Sequence, residues 1–406
     1  MGVAVLAGVA IGAGVALIAS QPSSHHASAG DRPAASPATA PPTTSEQAVL
    51  AAAVVPTPAN GTTGVTPDAT VAVKTTAGHL ASVTVATAGS ASVPGSLNPT
   101  ATQWTSSAPL APSSHYEITA VVSNQSGVSA TTESTFTTVT PTAMVGATVW
   151  PATGLSVGVG QPIVLTFNQP IITPSSRQDL LSHLHLAMST PVPVGAYWFS
   201  DTELHLRPER YWTTGEQISF SDDLAGWNAG SGEWGQGSSS VHFSIGDARV
   251  STANLATHEM TVTLNGKVVA TYPISAGRAQ YPTMDGVHIV LDRESQVRMV
   301  SSSVGIPVNS PNGYNETVYW DVHISDSGEY VHSAPWSVAD QGSINVSHGC
   351  INLSPANAQQ FFSFSRVGDI VNVIGGPRAP VVTDGGVEDW SSVPWSSFTP
   401  VSVSAL

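Results

Sequence analysis

The segment EMTVTLNGKVVATY, residues 259–272, reads as two short strands hinged on Asn265-Gly266. Apolar and polar side chains alternate along each arm, the period of a strand with one buried face. Asn-Gly meets the demand of a two-residue hairpin for two central residues with positive φ. A β-rich region therefore begins near residue 247. Downstream, Ser354-Pro355 supplies an N-cap and a first-turn proline for a short helix through Phe362, and a Gly368-Asp369 turn leads into a strand at 370–374. Cys350, the single cysteine, lies between the strands and just before that helix.

The upstream sequence repeats the same grammar. From about 52 to 140 short alternating runs, such as TVAVK (70–74), LASVTVA (80–86) and YEITAVV (116–122), are separated by Gly, Pro, Asn and Ser. A second such region spans 141–246, with PIVLTF (162–167) and ELHL (203–206). Trp104-x5-Leu110 ahead of Tyr116 is echoed by Trp198-x5-Leu204 ahead of Tyr211, a faint repeat. Two tandem immunoglobulin-like β-sandwiches, 52–140 and 141–246, are the expectation. The fold class is mainly β, with a β-rich third domain over 247–375 carrying one short helix after Cys350. Residues 376–406 hold Trp390, Trp395 and Phe398, too apolar for a free tail, and are expected to pack back on the domains.

Residues 1–19 open with an uncharged apolar run, read as an export signal retained as a membrane anchor; the first basic residue is Arg32. Residues 20–51, rich in Pro, Ala, Ser and Thr, cannot bury enough surface to offset chain entropy and are expected to form a disordered spacer. The rest of the protein would lie outside the cytoplasm, in the cell envelope. A formal charge of −15, with charged residues only 10% of the chain, argues against nucleic acid as a partner. His183-x-His185 is a metal-like pair without a third ligand and is read as structural, as is His25-His26 in the spacer; neither a metal nor a cofactor is expected.

One cysteine cannot form an intramolecular disulfide or a multi-cysteine metal cage. Its neighbours instead suit a nucleophile. Cys350 sits in SHGCIN (347–352), and a second histidine, His332, lies upstream in VHSAPW (331–336). A thiolate is the reactive form of cysteine, and a nearby imidazole can act as its base or, when charged, stabilise it.

His332, fourteen intervening residues and then Ser347-His348-Gly349-Cys350-Ile351-Asn352 resembles the signature of the L,D-transpeptidases, cell-wall cross-linking enzymes with a cysteine nucleophile. ISAGR (274–278) with Pro282-Thr283 and Gly286 is similar to the segment after that family's first hairpin, and SPNGY (310–314) to its substrate-covering lid. Actinobacterial members share the anchor, spacer, immunoglobulin-like modules and Trp-rich extension.

The resemblance implies Cys350 as nucleophile and His332 as general base, with Ser333 fixing the imidazole. It implies that Gly349 permits close approach of substrate, and that His348 is either a reactant or a hydrogen-bonding partner. Tyr314 would act from the lid, Asn352 and Ser347 at the substrate, and Trp336 and Met299 along the pocket wall. Val304 stands where relatives often carry an aromatic residue. The implied reaction joins peptidoglycan stem peptides by 3→3 cross-links with loss of D-Ala, and carbapenems would acylate Cys350. An L,D-carboxypeptidase of the same family and a non-catalytic wall-binding scaffold are the alternatives. Papain-like and sortase readings fail, the first on the order of His and Cys, the second on spacing and a missing motif.

Overall fold

The computed structural model describes residues 44–406, so the expected anchor and residues 20–43 of the spacer lie outside the described residues. Within that range no helix is long and apolar enough to cross a membrane. The molecule is mainly β, two sandwiches followed by a third β-rich domain.

The end of the expected spacer is corrected by the structure: Thr44–Ala52 is an α-helix. Its Ala, Leu, Glu and Gln are good helix formers, and Leu50, buried, packs with Val122, Val128 and Ala130 of the first sandwich. The composition of 20–51 as a whole hid this apolar anchor at its end.

The first sandwich pairs a sheet built on Ala72–Thr75 and Gln103–Ser106 with one built on His79–Thr87, His115–Ser123 and Ser129–Thr138. Alternate residues Tyr116, Ile118, Ala120 and Val122 are buried, so one face of that long strand meets Trp104, Val73 and Phe136. The Tyr116 hydroxyl accepts the Ala111 N–H at 2.7 Å, tying a corner of the sandwich.

The second sandwich is finished by the far end of the chain. One of its sheets runs Ala147–Trp150, Ile163–Phe167, Glu203–Pro208, Val194–Trp198 and then Thr399–Val401. The facing sheet takes Val403–Ala405 as its edge, parallel to Leu184–Met188. The tail therefore turns between the two sheets and caps both. Arg207, buried in the first of them, lies under the tail's aromatic rings, 4.5 Å from Trp390, 5.4 Å from Trp395 and 4.2 Å from Phe398.

The third domain has two sheets. The outer one runs Lys267–Pro273, Glu259–Leu264, Arg249–Asn254, Ile370–Ile374 and Gly286–Ile289. Its first two strands are the hairpin, with Asn265 and Gly266 at φ 49° and 77°. The second sheet runs Asp292–Val300, Asn315–Ser325, Glu329–Ser333 and Ile351–Leu353. Helix Pro355–Phe364 follows, its Asn357 N–H capped by Ser354 Oγ.

This domain seats directly on the second sandwich. Gly160 N–H donates to Gly368 O and Gly158 N–H to Val367 O. A Cβ at Gly158 would stand 2.2 Å from the Gly368 carbonyl carbon, so only glycine permits that approach. Ile289 and Ile370 join the sandwich core, which makes one apolar cluster across the seam.

The tail is thus part of the fold's core. Phe398→Ala should lower the unfolding free energy by roughly 3 kcal/mol or more, the usual cost of truncating a buried aromatic. Urea denaturation measures this, and a loss below about 1 kcal/mol would mean the tail merely rests on the surface.

Candidate active site

Strands Glu329–Ser333 and Ile351–Leu353 pair in parallel, with His332 opposite Asn352. Side chains two apart on a strand share a face. Cys350, immediately before the second strand, thus falls on the same face as Asn352 and His332. All three line a cavity of about 290 Å³, together with Met299, Tyr314, Trp336, Ser347 and His348. The loop between the strands is held by Ser275, which exchanges backbone hydrogen bonds with Asn352, and by Ser347 N–H donating to Ala276 O.

The turn that presents the thiol is closed on itself. Ser347 Oγ donates to Cys350 O at 2.6 Å and accepts the Gly349 N–H at 3.1 Å. Thr283 Oγ1 donates to Gly349 O at 2.6 Å. Gly349 has φ 134°, a conformation that L side chains rarely adopt, whereas an added Cβ would meet nothing nearer than Glu329 Oε1 at 3.6 Å. Backbone conformation alone therefore calls for glycine at this position. Ser347 braces the turn from within.

His332 is buried, and its Nδ1 lies 3.0 Å from the Ser333 carbonyl. A carbonyl only accepts, so Nδ1 carries the proton and Nε2 keeps its lone pair. The Ser333 backbone carbonyl thus holds the imidazole. Burial pushes His332 down to about 4 and the Cys350 thiol up to about 12. The N–H groups of Tyr330 and Cys350 favour the thiolate, but desolvation outweighs them, and Glu329 and Asp321 add to the rise. The resting pair is neutral thiol and neutral imidazole. Burial thus favours the neutral forms of both groups over an imidazolium–thiolate pair.

His348 is tied to its surroundings. Arg278 Nη2 donates to His348 Nε2 at 2.8 Å and to Asn312 Oδ1 at 3.0 Å, while Arg278 Nη1 holds the Ser347 carbonyl at 3.1 Å. The Tyr314 ring lies 4.9 Å from the His348 ring, and Tyr281 lies 5.2 Å away on another side. Burial and the Arg278 charge lower the pKa of His348. The neutral ring thus joins the Cys350 turn to the segment 310–314. That segment is itself anchored by Tyr314 N–H on Ser301 Oγ. Burial raises the Tyr314 phenol to about 12, so it remains a donor.

Cys350, Tyr314 and His348 also line a second cavity of about 460 Å³, bounded by Tyr281, Val304, Ile306, Glu329 and Arg378. The thiol stands where the two spaces meet. Every site residue expected from the sequence lies in this region. Asn352 is braced by Ser337 Oγ at 3.0 Å, and Trp336, 55% exposed, sits on the rim at 6.2 Å from the His332 ring.

The sequence reading missed Arg278, Thr283 and Glu329. Glu329 is buried behind Gly349 and accepts from Met284 N–H at 3.0 Å and from Arg378 at 2.7 Å. Burial still raises it to about 7. Arg278 and Thr283 stood in quoted motifs without an assigned role, and Glu329 precedes His332 by three. Its partner, Arg378, is remote in sequence, so nothing local signalled the pair.

Comparison with known proteins places these features in a family. The description "L,D-transpeptidase catalytic domain" matches residues 248–373 and "Bacterial Ig domain" matches 62–228. The chain is 37% identical over 339 residues to L,D-transpeptidase 2 of Mycobacterium tuberculosis, covering 84% of this chain and 82% of that one. It is 38% identical over 231 residues to L,D-transpeptidase 1 of Mycobacterium tuberculosis, or 56% of this chain and 84% of the relative. A solved L,D-transpeptidase in complex with imipenem aligns with TM-score 0.51 and 36% identity, over 58% of this chain and 99% of its own.

The charge state of the thiol has a direct readout. With the thiol held up to about 12, alkylation of Cys350 by iodoacetamide should be slow at neutral pH and keep rising with pH beyond the midpoint of an ordinary thiol, about 8.5. A rate that levels off near that value would mean that burial does not hold the proton on sulfur.

Proposed function

The chain belongs to the L,D-transpeptidase family, and from that premise we propose that it forms 3→3 cross-links between peptidoglycan stems through a thioester on Cys350. The supporting observation is the position of Cys350 at the meeting of two cavities, separated by the Tyr314–His348 contact. An acyl donor and an amine acceptor must reach one sulfur in turn. Two spaces opening on that sulfur suit the two substrates.

In this reaction Cys350 Sγ attacks the carbonyl between the third residue of a tetrapeptide stem, a diamino acid, and its terminal D-Ala. His332 Nε2 takes the thiol proton as the C–S bond forms. The proton therefore moves during attack, in keeping with a resting pair in which neither group is charged. The Cys350 N–H would help hold the oxyanion, the Gly349 N–H being committed to Ser347 Oγ. His332 returns the proton to the departing D-Ala amine, leaving a thioester. The side-chain amine of a second stem then attacks. The C–S bond breaks, an amide forms, and the proton lost by the amine is passed back to sulfur. Splitting one amide exchange into two acyl transfers is the value of the covalent step.

His348 acts as a positioning residue in this scheme, through Arg278 and Asn312. Carbapenems, which a relative binds as imipenem, would acylate the same sulfur. The apolar segment at 1–19 is assigned as the anchor holding the enzyme in the cell envelope outside the plasma membrane, and the sandwiches as the spacer that carries the site into the wall.

Incubating the purified protein with disaccharide-tetrapeptide and reading products by mass spectrometry tests the assignment. A dimer that has lost one D-Ala is expected, and Cys350→Ala should abolish it. Tripeptide without dimer would replace transpeptidation by carboxypeptidation. No turnover of such stems, together with no covalent carbapenem adduct on Cys350, would leave only a wall-binding scaffold.

A further inference from the structure

We propose that Glu203, His205 and Glu388 form a binding site for a divalent transition-metal cation of the zinc type. The site would lie where the second sandwich, the third domain and the C-terminal tail meet. Glu203 and His205 are two apart on strand Glu203–Pro208 and so share a face, while Glu388 opens the helical turn Glu388–Ser392 of the tail. One nitrogen and two carboxylate oxygens from these residues lie within 4.8 Å of one another. They face a cavity of about 500 Å³ whose walls include Gln161, Ile289 and Asp326.

Two further features point to a ligand. Glu388 is only 7% exposed, yet its carboxylate makes no hydrogen bond with any described residue. Its oxygens keep contact with the cavity, where a cation can reach them. Asp389, 3% exposed, places Oδ2 at 2.9 Å from His205 Nδ1, and its Oδ1 is buried without a partner. A carboxylate that holds one imidazole nitrogen while the other faces oxygen ligands is the usual outer support of a metal-bound histidine. The other nitrogen, His205 Nε2, is hydrogen-bonded to Glu203 Oε1 at 2.7 Å.

The chemistry selects the kind of ion. One imidazole and two carboxylates suit zinc and its neighbours, whereas calcium and magnesium prefer oxygen alone. Around a tetrahedral zinc, with ligands near 2.0–2.2 Å, donor atoms stand about 3.4 Å apart, so the His205–Glu203 pair, now at 2.7 Å, opens around the ion while Glu388 closes in. The fourth position would open on the cavity and take water. On binding, the ion displaces the proton shared between His205 Nε2 and Glu203, and that proton leaves to solvent. With the imidazole then neutral, the divalent charge and the Arg207 guanidinium together balance Glu203, Glu388 and Asp389. The ion would fasten the tail to the sandwich it completes.

The full-length chain carrying Cys350→Ala, which removes the active-site thiol as a competing ligand, is titrated with zinc chloride by calorimetry and with cobalt chloride by visible absorption. A single equivalent should bind, with the strong visible bands of tetrahedral cobalt and a rise in melting temperature. Glu388→Gln, which breaks no hydrogen bond, and Asp389→Asn should each weaken binding roughly tenfold or more and shrink the rise in melting temperature. His205→Gln should abolish it; if that variant does not fold, Glu388→Gln decides alone. Absence of saturable binding, or binding unchanged in Glu388→Gln as His25-His26 would give, overturns the site. So does a Glu388→Gln protein that melts higher and is as indifferent to zinc as its parent, which would make the cluster a proton-sharing carboxylate–imidazole chain.

Discussion

The site depends on the parallel register of Glu329–Ser333 against Ile351–Leu353. Strand side chains alternate, so a slip of one residue would turn His332 away from Cys350 and Asn352 together. The connection between the strands must leave and return without changing that register. It is pinned along its length. Asn345 Oδ1 accepts the Ala276 N–H, its amide donates to the Leu255 carbonyl, and Gly342 N–H reaches Ile274 O. The outer hairpin sheet, remote from the chemistry, thereby sets the position of the thiol. Side-chain amides and backbone do this work because they direct the loop where apolar packing alone would leave it free to slide.

Burial then decides how the pair must work. A cysteine in an open, electropositive cleft would rest as thiolate. Here desolvation acts on both partners in the direction of neutrality, and the carboxyl groups of Glu329 and Asp321 push the sulfur the same way. A neutral sulfur is a weak nucleophile but also a poor target for stray oxidants and alkylators. In the proposed reaction the thiol becomes reactive only as a carbonyl arrives to receive the electrons while His332 receives the proton. Protection and catalysis follow from one low-dielectric setting.

Much of this was legible in sequence. Local signals fixed the Asn265-Gly266 hairpin, the Ser354 cap and the alternating strands, because each rests on residues near in sequence. The spacing of His332 from Cys350 carried the family. What could not be read had remote or non-side-chain causes. Ser333 holds the imidazole through its carbonyl, and backbone groups leave no trace in residue identity. The φ of Gly349 is visible only in the fold. Glu329 finds Arg378, and His205 finds Asp389, across long stretches of chain. The helix at Thr44–Ala52 was hidden because composition was averaged over a segment whose last residues behave differently from the rest.

The tail adds one more layer. Thr399–Val401 and Val403–Ala405 are the closing strands of a sandwich whose other strands were laid down well before the third domain. That domain shares its apolar core with the same sandwich through Ile289 and Ile370. During synthesis, therefore, the sandwich cannot reach its final state until residues 399–405 have emerged. A polypeptide stopped short would expose two unpaired sheet edges and the aromatic bed around Arg207. Residues 399–405 are thus a condition for a finished scaffold beneath the cysteine.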